Sequence, residues 1–315
     1  MAELDETAAG FSSAVDRLTS NYDGRICLAV SGGPDSLALL LLAERAMPQR
    51  IVAATVDHGL RSEAAQEASF VSDICRRLGI PHATLKPDQP ITGNLQSAAR
   101  EVRYALLHRH ADAQQCSWIA TAHHADDQLE TFVMRLARGC GVDGLSGIRP
   151  VNGRVIRPLL DLSKARLESI CGDAGISPMR DPSNDDTDFD RVRIRHWLEQ
   201  NELPFGSGDV VKSSRALAEA SQALDWMTEN LADERIEKQD DGLALRAAGL
   251  PAEIKRRLLL RAVQKLQPGY MARGEAVTQA ILSLGNGGKT MLGDIILTGG
   301  DIWRLSPAPP RKKQG

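Results

Sequence analysis

The chain has 315 residues, 42% of them hydrophobic and 25% charged, with a formal net charge of −3. That length accommodates two domains, because a single core rarely grows past roughly 250–300 residues. No run of the roughly 18 apolar residues that a membrane span needs occurs, and the acidic start (Glu3, Asp5, Glu6) lacks the basic-then-apolar pattern of an export signal. In chain order, residues 26–30 form an apolar run suited to a buried strand, and 36–46 read as a helix. Strand 51–56, helix 63–78, a weaker strand at 82–85, helix 94–110, strand 118–122 and helix 126–138 follow. Strands alternating with crossover helices predict an α/β fold with a doubly wound, mainly parallel sheet. Ligands of such sheets sit beyond the carboxyl ends of the strands. Polar residues cluster there, at 31–36, 57–61 and 123–127.

After Pro204 the texture changes. Phe205-Gly206-Ser207-Gly208 reads as a linker, followed by helices at 210–237, 252–266 and 273–284 and short strands at 290–292 and 295–297. A smaller α+β domain over 205–315 is therefore expected behind a first domain over 1–204, with residues 307–315 frayed. No internal repeat is present. Cys27, Cys75, Cys116, Cys140 and Cys171 form no C-x-x-C pair, which fits reduced cytoplasmic thiols better than disulfides or zinc. From residue 211 onward 16 Lys/Arg stand against 12 Asp/Glu, a balance that permits a polyanionic partner without requiring one.

Three loops carry chemistry. Ser31-Gly32-Gly33-Pro34-Asp35-Ser36 joins the first strand to its helix. Two glycines let backbone N–H groups turn inward, and the helix start adds orphan donors and partial positive charge, so the loop is built to hold phosphate. The Ser31 and Ser36 hydroxyls can donate to phosphate oxygens. Asp35 would repel phosphate unless a cation such as Mg²⁺ intervenes. The plainer reading is a βα turn with Asp35 or Ser36 as helix cap. The loop lacks the Gly-Lys-Ser/Thr ending of a Walker loop. Gly287-Gly288-Lys289-Thr290 has that flavour but not the spacing, since Ser283 stands where a glycine is required.

At the second strand end, Val56 and Asp57 are placed to meet an adenine or ribose edge, with His58 and Arg61 in reach of phosphate. The third loop runs from Thr121 through Ala122, His123, His124, Asp126 and Asp127 to Glu130. Leu129, Val133 and Leu136 share a helical face expected to pack on the sheet. Asp126 and Glu130 project from one face with Asp127 flanking, a carboxylate set suited to Mg²⁺ or general-base work. An acidic helix start favoured by the macrodipole is the alternative for Asp126 and Asp127.

These strings resemble the N-type ATP pyrophosphatase (PP-loop) superfamily and, within it, the tRNA(Ile)-lysidine synthetases. The resemblance rests on S-G-G-P-D-S at 31–36, V-D-H-G-L-R at 56–61, residues 94–107, residues 121–147, Arg157-Pro158-Leu159-Leu160, Asp181-Pro182-Ser183-Asn184 and F-D-R-V-R-I-R at 189–195. It covers roughly residues 25–200; the last third resembles the family's smaller C-terminal domain only loosely. The chain reads as a shorter member without the further terminal domain of some relatives.

The resemblance implies ATP and Mg²⁺ as cofactors, and L-lysine and a CAU-anticodon isoleucine tRNA as partners. It implies adenylation of the wobble cytidine at the C2 oxygen, then displacement of AMP by the ε-amine of lysine. Nucleotide contacts are expected from Ser31, Gly32, Gly33, Pro34, Asp35, Ser36, Val56, His58, Ala122 and His123. Asp35 and Asp127 are expected to hold metal, and Asp126, Asp127 and Glu130 to share the metal and lysine duties among them, their division left open. Arg100, Arg103 and Tyr104 are expected to meet the tRNA, although surface pairing with Glu101 competes for Arg100 and Arg103. Arg191, Arg193 and Arg195 alternate with Val192 and Ile194, a pattern that can place several cations on one side to meet phosphate, Arg193 also serving catalysis. Pairing with Asp185, Asp186, Asp188 and Asp190 is the plainer alternative. Lys255, Arg256 and Arg257 suit either a tRNA backbone or a solvated helix face. The oligomeric state stays open, a homodimer being one arrangement. The rivals are a tRNA-cytidine 2-thiolase, whose paired cysteines are absent here, a GMP-synthetase-like amination, and an ATP sensor without turnover.

Overall fold

The computed structural model describes residues 2–59, 63–89, 95–179, 190–271 and 274–309. The readings on Leu60, Arg61, residue 94, residues 181–186, Asp188, Phe189, Arg273 and 310–315 lie outside them. By their contacts the residues divide into two units, Met1–Ala218 and Glu219–Gly315.

The first unit opens with α1 (Ala2–Thr19) and then alternates β1 (Ile26–Ala29), α2 (Pro34–Ala46), β2 (Ile51–Val56), α3 (Glu63–Leu78), β3 (His82–Leu85), α4 (Leu95–Ala113) and β4 (Trp118–Ala120). It continues through α5 (Ala125–Ala137), the single turn α6 (Val142–Leu145), β5 (Val151–Asn152), β6 (Val155–Ile156), α7 (Lys164–Asp173) and α8 (Asp190–Gln200). The six strands are ordered β3-β2-β1-β4-β6-β5, parallel except for the β5–β6 hairpin. The period-two alternation of the first strand sorts its side chains. Ile26, Leu28 and Val30 pack with α1, α2, α3 and α7, whereas Cys27 and Ala29 pack with Leu107 and Ala111 of α4. Strand β1 is buried at every position, as a strand covered on both faces must be. The chain winds outward from β1 to β2 and β3 and then returns to place β4 on the other side of β1. That puts the topological switch point between β1 and β4.

The doubly wound reading holds, with omissions. Helices α1 and α7 and the β5–β6 hairpin were not anticipated, although Ala8, Phe11 and Val15 of α1 carry helical spacing into the core. Strand β4 stops at Ala120, which frees residues 121–124 as a loop.

Helix α9 (Ser207–Arg235) starts earlier than expected, so Ser207 and Gly208 of the supposed linker belong to its first turn. The second unit holds β7 (Ile236–Gln239), β8 (Gly242–Leu245), α10 (Ala252–Leu266), α11 (Gly274–Gly285), β9 (Lys289–Leu292), β10 (Ile295–Thr298) and β11 (Trp303–Pro307). Its antiparallel sheet, ordered β7-β8-β11-β10-β9, closes over Leu258, Leu259, Ala262, Val263 and Leu284. Lys289 opens β9 directly behind α11, the reverse of the strand–loop–helix order that a Walker loop requires. In α10, Arg256 pairs with Glu253, and buried Arg257 bridges Glu253 and Asp225. The expected basic stripe at 255–257 is thus largely an internal ion-pair network. No helix of the described residues is long and apolar enough to cross a membrane.

Candidate active site

The loop between β1 and α2 is closed by one hydroxyl. Ser36 is buried; its Oγ accepts from the amides of Ser31 and Gly32, each at 3.1 Å, and donates to the Gly33 carbonyl at 3.0 Å. Its proton is therefore committed inside the loop, and the exposed hydroxyl is that of Ser31, 3.2 Å away. Gly32 sits at φ +96°, a conformation that side chains resist, and a Cβ there would meet Val71 at 3.4 Å. Gly33 caps α2 without a side-chain hydrogen bond and Pro34 follows it, so the first turn keeps free donors.

A cavity of about 180 Å³ opens beside this loop between the ends of β1 and β2, lined by Val30, Ser31, Val56, His58 and Arg103 among others. His58 Nδ1 is buried there without a partner. Burial, with Arg103 nearby, lowers the pKa of His58 and favours the neutral ring. Asp57 is not free for a ribose: it accepts from Gly59 N at 2.9 Å and pairs with Lys86 at 3.0 Å.

On the other side of the switch point, His124 gathers carboxylates from distant parts of the chain. Its Nε2 lies 3.5 Å from both Asp35 Oδ2 and Asp127 Oδ2, and its Nδ1 lies 3.7 Å from Asp126 Oδ2. In the neutral ring Nδ1 accepts from the Asp126 amide at 3.2 Å. Burial opposes the charged ring, but Asp126, Asp35 and Asp127 together outweigh it and lift the His124 pKa to about 10. Burial also holds the Asp127 carboxyl above its usual range despite His124 and Arg191, so the two groups titrate as one system. Asp126 Oδ2 additionally accepts from Lys164 N at 2.7 Å, tying α5 to the start of α7.

Asp35 Oδ1 is buried and has no partner. Among the described residues no group of three or more His, Cys, Asp and Glu side chains is placed to hold a metal ion. Mg²⁺ in nucleotide enzymes needs only one or two carboxylates beside phosphate and water oxygens, and Asp35, with Oδ1 unpartnered and Oδ2 beside the same imidazole as Asp127, fits that demand.

The buried face of α5 is not the expected one. Leu136 is 57% exposed, whereas Gln128 and Glu130 are buried. The reason lies in their partners. Glu130 Oε2 accepts from Arg191 Nε at 2.6 Å and Oε1 from Arg195 Nε at 2.7 Å, while Arg191 Nη2 reaches Asp127 at 2.5 Å. Gln128 Oε1 accepts from Ile148 N at 2.6 Å, and its side chain leaves no room for a Cβ on Gly147, itself at φ +71°. The 191–195 segment is helical, which corrects the alternating pattern. Arg191 and Arg195, one turn apart, share the face on α5, and Arg193 lies on another face, pairing with Asp190.

A cleft of about 540 Å³ adjoins this junction and is lined in part by Arg100, His123, Arg135, Arg149, Arg157 and Arg191. Arg100 lies 5.0 Å over the ring of Tyr104, so this expected tRNA contact braces an arginine within the protein. Arg103 falls on the other cavity instead. His123 accepts from or donates to Thr121 Oγ1 at 3.0 Å, and burial together with Arg157, Arg191, Arg103 and Arg100 pushes its pKa down to about 3. Ala122 packs half-buried against the core. The cleft arginines Arg135, Arg149 and Arg157 were missed as site residues; Arg135 and Arg157 stood within strings that carry the resemblance, and Arg149 in none.

The PP-loop domain family matches residues 8–202. The chain is 43% identical over 306 residues to the tRNA(Ile)-lysidine synthase of Zymomonas mobilis, covering 94% of this chain and 92% of that protein. It is 39% identical over 331 residues to the tRNA(Ile)-lysidine synthase of Novosphingobium aromaticivorans, covering 98% of each. Among solved structures, the U34-tRNA thiolase NcsA from Methanococcus maripaludis, with its [4Fe-4S] cluster, shares the fold. The match covers 68% of this chain and 79% of that one at 19% identity, with a TM-score of 0.57. With its PP-loop domain and near full-length similarity to these synthases, the chain belongs to the tRNA(Ile)-lysidine synthase family.

Proposed function

We propose that this enzyme ligates L-lysine to C2 of the wobble cytidine in the CAU-anticodon isoleucine tRNA, using ATP and converting AUG to AUA decoding. The observation that carries the assignment of roles is the convergence of Asp35, from the phosphate loop, and Asp127, from α5, on one imidazole at the switch point.

In the first half-reaction the cytidine O2 attacks the α-phosphorus of ATP and pyrophosphate leaves. The uncapped start of α2 and the exposed Ser31 hydroxyl hold the phosphates, with Ser36 keeping the loop curled around them. The adenosine occupies the cavity at Val56 and His58, walled by Arg103. Asp35 and Asp127 would hold Mg²⁺, which would offset the charge of the phosphates.

In the second half-reaction the neutral ε-amine of lysine attacks C2, the C2–O bond to AMP breaks, and the amine loses a proton. Asp126, the most exposed carboxylate of the group, receives the lysine ammonium and takes the proton. Glu130 acts at one remove by fixing Arg191 and Arg195. Arg100, Arg191 and Arg193 meet the tRNA, with Tyr104 bracing Arg100. Residues 1–204 form the catalytic domain and 205–315 a linker helix with a smaller tRNA-binding domain.

Incubating the protein with ATP, Mg²⁺, radiolabelled lysine and the CAU-anticodon isoleucine tRNA should label the tRNA and release AMP. Absence of label with folded protein removes the proposal.

A further inference from the structure

The cavity beside the phosphate loop and the cleft beyond His123 differ in what lines them. The smaller one is bordered largely by strand ends and small apolar side chains. The larger one presents Arg100, Arg135, Arg149, Arg157 and Arg191 against a single carboxylate, Asp143, among the described residues. Two of the arginines have internal duties: Arg135 donates to the carbonyls of Gly144 and Gly147, and Arg191 bonds Glu130 and Asp127. Arg100, Arg149 and Arg157 pair with no carboxylate among the described residues. Arg149 is exposed and makes no ion pair among the described residues. Arg157 is only 5% exposed; its Nη1 donates to the Arg149 carbonyl at 2.6 Å and Tyr104 also hydrogen-bonds the guanidinium, yet its Nε is buried with no partner. A buried guanidinium with an unmet donor and no carboxylate partner is costly unless an anion completes it.

We infer that Arg157 and Arg149, with Arg100, form a clamp for a backbone phosphate of the RNA next to the nucleotide being modified. The inference rests on the proposed function and gives a role there to Arg149 and Arg157, to which the resemblance assigned none. A guanidinium offers planar paired donors that match phosphate oxygens. The rival occupant with the same oxyanion chemistry is the α-carboxylate of lysine. Charge favours the phosphodiester, because free lysine carries two ammonium groups that the arginines repel, whereas RNA brings only negative charge. His123, neutral among these arginines, adds a polar edge without adding charge.

The test uses the full chain with Arg149→Ala, Arg157→Gln and Arg157→Lys. Equilibrium binding of the CAU-anticodon isoleucine tRNA is measured across salt concentrations, alongside ATP affinity and the KM for lysine. Loss of about fivefold or more in tRNA affinity for Arg149→Ala and Arg157→Gln, with a salt slope shallower by about one, supports the clamp when ATP affinity and lysine KM hold steady. Arg157→Lys should restore the charge-dependent part of binding but not the whole. A raised KM for lysine with unchanged tRNA binding assigns the cleft to the carboxylate and overturns the clamp. No change in either quantity also overturns it. Should Arg157→Gln fail to fold, Arg149→Ala on the exposed rim decides alone. If the wild-type chain forms no lysidine but its RNA binding still collapses in the variants, the clamp stands and the assigned reaction falls.

Discussion

The phosphate loop at 31–36 and the junction of α5 with α8 serve the same end of the sheet but are held together differently. The loop closes on itself: within six residues, one serine hydroxyl meets two amides and a carbonyl, and the glycine at φ +96° supplies the bend. The junction depends on a segment some 60 residues further along the chain, whose arginines neutralise a carboxylate buried on α5. A loop closed mainly by its own hydrogen bonds, with single ties from Met179 and Cys171, depends little on the α5–α8 junction. A junction built on ion pairs stands only while both partners are present, since an abandoned buried charge costs far more than the pair contributes.

The largest expected effect tests the part of the loop that plays no role in its closure. Asp35 has one oxygen without any partner, and its other oxygen is one of three carboxylate contacts of His124, two of which remain, so Asp35→Ala should lower the melting temperature modestly and leave the fold intact. AMP release should nonetheless fall by at least about 10²–10³-fold, as expected when an electrostatic element acting on transition-state charge is removed. An unchanged rate of AMP release would refute its metal role.

Glu130→Gln probes the junction. Removing the charge strands Arg195 and should cost about 3 kcal/mol, the low end of the range for a broken buried pair because Arg191 is 39% exposed and keeps Asp127. Burial pushes the Glu130 pKa up, but the contacts from Arg195 and Arg191 outweigh it and hold it below the ordinary value. Its contribution to stability is therefore present above the ordinary carboxylate pKa and lost as acid titrates through the depressed one. Urea titrations at neutral and acid pH should show the variant's deficit shrinking toward low pH. A deficit independent of pH would contradict the ion-pair account.

How far each region was legible follows from the same contrast. The loop could be read because its strand end, glycines and helix start are consecutive. The winding of the sheet was legible because apolar runs and helical stretches alternate. The junction was not, because the cause of burial on α5 lies elsewhere in the chain. Leu129, Val133 and Leu136 looked like the packed face by spacing, yet Leu136 is exposed, while Gln128 and Glu130, on either side of that stripe, are buried against the partners that Ile148, Arg191 and Arg195 supply. The arginines at 191, 193 and 195 suggested a period of two, but a helix advances about 100° per residue and separates the middle one from its neighbours. Arg157 could be seen as part of a string, but its buried, unpartnered Nε is a fact of three-dimensional packing.

Ser36→Ala asks whether the loop is as self-contained as its hydrogen bonds imply. The change leaves the Ser31 and Gly32 amides without their acceptor and the Gly33 carbonyl without its donor. A loss of about 1–2 kcal/mol in stability is expected, since the two amides can turn toward water or ligand. ATP binding should weaken by about tenfold through a less ordered loop, with tRNA affinity unchanged. Equal losses in both affinities would mean that the loop and the rest of the site are coupled.

The smallest effect is expected at Arg193, the arginine that α8 turns away from Glu130. It pairs with Asp190 at a surface where such pairs contribute little, so Arg193→Ala should barely move the melting temperature. Its expected consequence is a two- to fivefold loss of tRNA affinity that fades at high salt, the behaviour of a cation meeting phosphate. Arg195→Ala, which disturbs the buried Glu130, should reverse that ranking, costing stability first and affinity second. If Arg193→Ala left tRNA affinity and turnover untouched at every salt concentration, α8 would contribute to the site through its buried face alone.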